Sequence, residues 1–199
     1  MQRDPESWWL EETIHARREH FDEHHTRRYD AKEDAQAAEE IAVDVSPLML
    51  ERLAEKVDLC AASNVEVTRA GFLTYQHAGP PADVVYSRYA LHHLPDFWKA
   101  IALGRLADML RLGGVLRLWD VVYSFEPRDA DRQIEGWIAD TMAADVERGW
   151  TRAELAEHVR DEHSTFTWLL EPMIERAGFD IVQADYSASV FARYVCKKT

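Results

Sequence analysis

Two places in the chain set residues able to do chemistry at spacings that a fold can use. The first is Asp44, which follows the apolar Ile41-Ala42-Val43 and precedes Ser46-Pro47. An acid at the carboxyl end of a parallel strand can accept hydrogen bonds from both hydroxyls of a ribose, as in nucleotide-binding α/β folds generally. The same acid can instead serve the helix that Ser46 and Pro47 announce, Ser being a favoured N-cap and Pro a favoured first helical residue. The second place is His92-His93, shortly after the apolar run Val84-Val85-Tyr86. Imidazoles titrate near neutrality, so either is a candidate general base. A third grouping gathers His15, His20, His24 and His25 beside Glu19, Asp22 and Glu23. His20 and His24 are four apart and share a helical face, the spacing of a metal pair. No third ligand is fixed by that spacing and a solvated face accounts for the segment, so no metal site is expected. Cys60 and Cys196 lie far apart without a C-x-x-C pair, which indicates neither a zinc site nor a disulfide framework.

The elements that position these residues follow from periodicity. Val84-Val85-Tyr86 reads as a strand buried on both faces of a parallel sheet. Pro95 and Asp96 open a helix, the acid lying near the positive end of its dipole. Trp98, Ile101, Ala102, Leu106, Met109 and Leu110 then recur at three and four. Gly113-Gly114 is expected to stop that helix, and the next strand, VLRLWDVV, carries Asp120 to the same sheet edge, facing the substrate pocket. Together they make a βαβ unit. Upstream, Leu50, Leu53, Ala54 and Val57 form the core face of the helix after Asp44, and Val65-Glu66-Val67 reads as an edge strand with Glu66 outward. Residues 1–40 are highly charged and helical in pattern. Residues 125–167 are also charged and helical, with Trp137, Ile138, Met142 and Val146 on one stripe. Thr151 with Glu154 three residues on is a capping box. A helix from Trp168 ends at Gly178, and DIVQADYS and SVFARYVCKK form a closing hairpin.

At 199 residues the chain is long enough to bury a sizeable core. No apolar run approaches the roughly 20 residues that span a bilayer, and the opening MQRDPESWW is no signal peptide, so a cytoplasmic protein is expected. A net charge of −13 argues against a nucleic-acid surface, which needs a basic patch. The expected partner is a small molecule, and a homodimer is open.

The stretch D-V-V-Y-S-R-Y-A-L-H-H-L-P-D, a helix, and L-R-L-G-G-V-L-R-L-W-D resembles the second half of a class I S-adenosylmethionine-dependent methyltransferase of the small-molecule type. Ile41 to Leu50 is similar to that family's second strand and following helix. The resemblance implies S-adenosylmethionine as cofactor. It places Asp44, with Ser46 beside it, at the ribose, and sets Ser87 and Arg88 against the cofactor. Tyr29 becomes a lid over the methionine end. Where the family often has an aspartate for the adenine amino group, this chain has Gly71-Phe72, and Phe72 is a candidate to stack on the base or to fill the core. In the family, H-H-L is mostly a helix entry with one histidine packed inward. Residues 125–167 are expected to cover the substrate, with Trp137 and Met142 as pocket walls or core. One element of the pattern is missing: no G-x-G-x-G loop precedes Ile41, and the eight glycines from Gly71 to Gly178 nowhere make that spacing. Such a loop lets backbone approach the ligand at a helix N-terminus that favours a carboxylate. Its absence leaves three alternatives: the flanking strands close on each other, another segment fills the gap, or this is a shortened form of a longer parent.

The expected architecture is therefore an N-terminal helical segment over 1–40 and a Rossmann-like α/β domain over 41–199. That domain has a mostly parallel sheet, helices on both faces, a C-terminal antiparallel hairpin, and neither the family's first strand nor its glycine loop. The expected activity is methyl transfer to a small molecule. Its rivals are a catalytically inactive module that works by binding a partner protein, and an enzyme of another nucleotide.

Overall fold

The structure, a computed structural model, describes residues 10, 41–59, 62, 64–142 and 149–199. They form two compact units, one reaching to Tyr75 and the other running from Gln76 to Thr199. The domain expected over 41–199 is thus described in two parts, and the helical segment expected over 1–40 lies outside the described residues except for Leu10.

In the first unit, strand β1 (Ile41–Asp44) leads through Ser46 into helix α1 (Pro47–Leu59), and β2 (Glu66–Arg69) returns parallel to β1. The helix starts where the sequence says it should: Met49 N–H donates to Ser46 Oγ at 3.2 Å, satisfying one of the amides left over at a helix N-terminus. Leu50 is its buried residue. Glu66 points outward, as expected of an edge strand.

The second unit holds β3 (Ala82–Arg88), a short 3-10 turn (Leu91–His93), helix α2 (Asp96–Met109), β4 (Leu110–Tyr123), and a second 3-10 turn (Pro127–Asp129). Helices α3 (Ala130–Thr141) and α4 (Arg152–Asp161), the two-residue β5 (Thr165–Phe166) and helix α5 (Thr167–Arg176) follow, then the hairpin β6 (Phe179–Ser187) and β7 (Phe191–Lys198). The strand order is β3-β4-β7-β6, with β5 on β4. β4 pairs parallel with β3 and β5 and antiparallel with β7, so the expected βαβ unit and antiparallel hairpin are both present. Leu116, Leu118, Ala192 and Tyr194 on the central strands are buried with Leu103 of α2 and Ile174 of α5. A second cluster joins Val121, Tyr123 and Phe125 to Trp137, Ile138, Leu155 and Val190. Trp137 is therefore core, whereas Met142, just past the end of α3, is 49% exposed; Val146 lies outside the described residues. The capping box at Thr151 is present in full, Thr151 Oγ accepting from Glu154 N–H at 3.2 Å and Glu154 Oε2 from Thr151 N–H at 2.8 Å.

Three expectations need correction. β3 is the terminal strand of its sheet, and Val84 and Tyr86 are 54% and 51% exposed rather than buried on both faces. Gly113-Gly114 does not end the helix. The chain turns extended already at Leu110, and the glycines lie inside β4 as an irregularity: Ala82 sits opposite Leu110, yet Val84 sits opposite Val115. Extra residues on one strand must bulge outward. Gly113 takes φ 73°, and Gly114 packs so tightly that a Cβ there would stand 2.8 Å from Arg111 O and 3.2 Å from Asp83 O. Finally, β4 runs through Asp120 to Tyr123, which changes the setting of that acid.

The glycine bulge gives a direct test. Gly114→Ala is expected to cost about 1–3 kcal/mol through backbone crowding, read as a lower midpoint in urea denaturation at unchanged slope.

Candidate functional site

The described residues place chemistry in each unit. In the first, Asp44 ends β1, and its Oδ1 accepts from Ser46 N–H at 2.7 Å. Asp44 O accepts from Ala70 N–H at 3.1 Å, which ties the strand end to the residue after β2. Ser46 is fully buried and its hydroxyl is the α1 cap. Ser46, expected beside the cofactor, fixes Asp44: its backbone amide orients the carboxylate at the carboxyl end of a parallel strand. Phe72 is half-buried in the turn after β2. Tyr29 lies outside the described residues.

In the second unit, Ser87 sits near the carboxyl end of β3, only 7% exposed, and its Oγ has no hydrogen-bond partner among the described residues. Arg88 follows, its guanidinium 4.2 Å from the Trp119 ring centroid, with Arg193 on the same indole at 3.9 Å. Tyr89 then takes φ 48°, a left-handed conformation that bulky residues rarely hold, and its N–H donates to Trp119 O at 2.8 Å. The strand end is thus locked in place by an unusual backbone turn.

Beyond Tyr89 lies a buried charge network that sequence spacing does not reveal. Asp120 is 1% exposed. Its Oδ2 accepts from Leu91 N–H at 2.8 Å and His92 N–H at 3.2 Å, while Oδ1 accepts from Val121 N–H at 2.8 Å and meets His92 Nδ1 in a short contact. Asp120 lines a small cleft with Leu91, His92, Lys99 and Thr165, and its carboxylate holds the 91–93 turn. The far nitrogen of the same ring, Nε2, lies 2.8 Å from Glu162 Oε2. His158 Nδ1 and His93 Nδ1 approach that oxygen at 3.1 and 3.3 Å. Burial alone would lower the His92 pKa, but the Asp120 and Glu162 carboxylates outweigh it and push it up to about 10. Burial would likewise raise both acids, yet His92 and the backbone amides hold Asp120 below the ordinary carboxylate range, and His158, His92 and His93 do the same for Glu162. A general base needs a free lone pair. With both ring nitrogens engaged by carboxylates, His92 offers none in this arrangement; it is the inward-packed histidine of the pair. His93 is more open, its side chain 17% exposed.

A neighbouring buried ion is tied to the same segment. Lys99, 2% exposed, donates to Asp96 Oδ1 at 2.7 Å and to His163 O in a short contact, and His163 N–H donates to His92 O at 3.0 Å. Glu162 and His163 were not singled out by sequence reasoning. Nothing local marks them; only the fold brings the end of α4 against the turn after β3.

The chain matches a family model described as a methyltransferase domain over residues 26–114. An uncharacterized methyltransferase of Geobacillus thermodenitrificans is 27% identical over 157 residues, covering 79% of this chain and 66% of that protein. One of Anoxybacillus flavithermus is 28% identical over 122 residues, covering 54% of this chain and 57% of the relative. The chain therefore spans less than two thirds of the length of either relative. Among solved structures, the N-methyltransferase NodS of Bradyrhizobium japonicum, in complex with S-adenosyl-L-homocysteine, superposes with a TM-score of 0.52 at 15% identity, over 79% of this chain and 65% of that one. Over residues 26–114 the chain is thus similar to a methyltransferase domain, and its fold is Rossmann-like.

The charge network predicts a marked asymmetry between two kinds of ion pair. Asp120→Asn strands a buried imidazole and is expected to cost about 3–5 kcal/mol in chemical denaturation. Arg152→Ala removes the exposed pair with Glu135, whose side chains are 56% and 60% exposed, and is expected to cost under about 1 kcal/mol.

Proposed function

We propose that this chain transfers a methyl group from S-adenosylmethionine to an oxygen, nitrogen or carbon atom of a small molecule. The observation that carries the reading is Asp44: an acid at the carboxyl end of a parallel strand, oriented by the Ser46 amide, inside the stretch that matches the methyltransferase model. In the second unit, the buried Ser87 hydroxyl near the end of β3 has no hydrogen-bond partner among the described residues. Buried polar atoms are nearly always satisfied, and a ligand is one way to satisfy this one.

S-adenosylmethionine supplies an electrophilic methyl group on a sulfonium, so the protein's work is largely positioning. Asp44 accepts hydrogen bonds from the ribose hydroxyls, and Ser46 keeps its carboxylate aimed. Phe72 is the first unit's candidate to stack on the adenine, and Ser87 and Arg88 are the second unit's candidates to border the cofactor. His93, not His92, is the histidine with access to an acceptor's proton. The acceptor is small and uncharged or cationic, in keeping with a net charge of −13, and nucleic acid is not the substrate. No described helix is long and apolar enough to cross a membrane. We place the protein in the cytoplasm, with a homodimer as its possible assembly.

The competing reading, an inactive methyltransferase-like module that binds a partner protein, draws on the lack of a G-x-G-x-G stretch. Calorimetric titration with S-adenosylhomocysteine separates the two. Micromolar binding, weakened about tenfold or more by Asp44→Ala through loss of charge-assisted hydrogen bonds, is the expected outcome. A folded chain that shows no heat of binding overturns the enzyme reading.

A further inference from the structure

Glu162 closes α4, its N–H donating to His158 O at 3.0 Å. Its carboxylate is buried, and Oε2 is approached by ring nitrogens from two stretches of chain. His92 Nε2 and His158 Nδ1 stand 2.8 and 3.1 Å away, and His93 Nδ1 stands 3.3 Å away. Behind His92 lies Asp120, held in turn by the amides of Leu91, His92 and Val121. A line of charged and polar groups thus runs from the central strand through His92 and Glu162 to His93.

The three rings are not equivalent. His92 has a carboxylate at each nitrogen, and His158 Nε2 lies 3.3 Å from Ser164 Oγ. His93 keeps 17% of its side chain exposed, yet its Nδ1 is closed to solvent. What this ring shows to solvent is therefore some other part of it. A neutral imidazole carries its proton on one nitrogen and a lone pair on the other, and the surroundings of each nitrogen decide which. The nitrogen that faces a carboxylate keeps the proton, because an N–H directed at an anion is held roughly twice as strongly as one directed at a neutral acceptor.

We propose that Glu162 is a positioning residue for methyl transfer: it keeps the proton of neutral His93 on Nδ1 and so makes Nε2 the basic nitrogen that takes the acceptor's proton. This role rests on the methyl-transfer reading and narrows it to acceptors whose O–H or N–H proton must leave as the methyl group arrives. That proton passes to the Nε2 lone pair, and the ring becomes an imidazolium. The surrounding charges suit the change. Asp120 and Glu162 are held anionic, and His92, its pKa pushed up to about 10, is cationic, which leaves one negative charge beside His93. On α2, Lys99 is matched by Asp96, and on α4, His158 shares the Glu162 oxygen. An imidazolium forming at His93 meets that remaining charge at once, with no rearrangement. His92 offers no lone pair of its own, yet it gains a part in the chemistry: with Asp120 behind it, it anchors the carboxylate that orients its neighbour.

Heteronuclear NMR of the histidine rings shows which nitrogen bears the proton, His93 being assigned from the resonances missing in His93→Gln. Taken up in pH until the His93 ring is neutral, the wild-type chain is expected to show the Nδ1–H tautomer in excess by about tenfold or more, the worth of a hydrogen bond to a charged group. Glu162→Gln keeps the side chain's size and removes its charge, and is expected to lose most of that excess. A neutral wild-type His93 with its proton on Nε2, or an unchanged excess in Glu162→Gln, overturns the proposal. Should Glu162→Gln not fold, the wild-type tautomer alone decides. Neither cofactor nor acceptor enters the measurement, so its outcome is separate from that of the S-adenosylhomocysteine titration, which tests methyl transfer itself.

Discussion

The second unit depends on one arrangement: the His92 ring held between Asp120 and Glu162. Taking two carboxylates out of water costs several kcal/mol each, and geometry decides whether that cost is recovered. Here Asp120 is met by three backbone amides and an imidazole, so its oxygens are well supplied. The location matters as much as the count. Asp120 lies on β4, the strand to which β3, β5 and β7 all pair. Everything hung on Asp120 is thereby hung on the centre of the sheet, including the 91–93 turn that leads from the end of β3 into α2.

That turn follows shortly after Ser87, whose buried hydroxyl has no hydrogen-bond partner among the described residues. Ser87, Arg88 and Tyr89 leave β3 with a left-handed kink at Tyr89, and the chain is caught again two residues later by Asp120. The strand end is fixed from both sides, by the Arg88–Trp119–Arg193 stack and by the charge network. A segment held on a rigid scaffold needs little rearrangement to hold a ligand, as the proposed methyl transfer would require. The Lys99–Asp96 pair and the His163 contacts extend the same stitching to the loop before β5.

Local chemistry was legible in the sequence wherever the determinants were neighbours. Ser46-Pro47 announced the start of α1 and Thr151 with Glu154 that of α4, because a cap is made within four residues. The closing runs gave the β6–β7 hairpin, and the apolar residues before Asp44 gave the strand that ends at it. The failures share a cause. Gly113-Gly114 is read equally well as a helix stop or as a bulge, and only the register against β3 distinguishes them. Val84-Val85-Tyr86 carries no mark of being at the sheet's end. Asp120 and Glu162 owe their meaning to His92, from which both are remote in sequence. Pairings of that kind exist only once the fold is formed.

Helix α4 shows what such pairings do to motion. At its start Thr151 and Glu154 close a reciprocal box, and at its end Glu162 is buried against the histidines. Helices ordinarily fray from their ends, and their terminal amides exchange with solvent long before the protein unfolds. With both ends fastened, α4 has no free terminus from which to unravel. Its amides should exchange as a single block, together with those of the 91–93 turn, so that the short helix and the turn behave as one cooperative unit although α2, β4 and α3 separate them in the sequence.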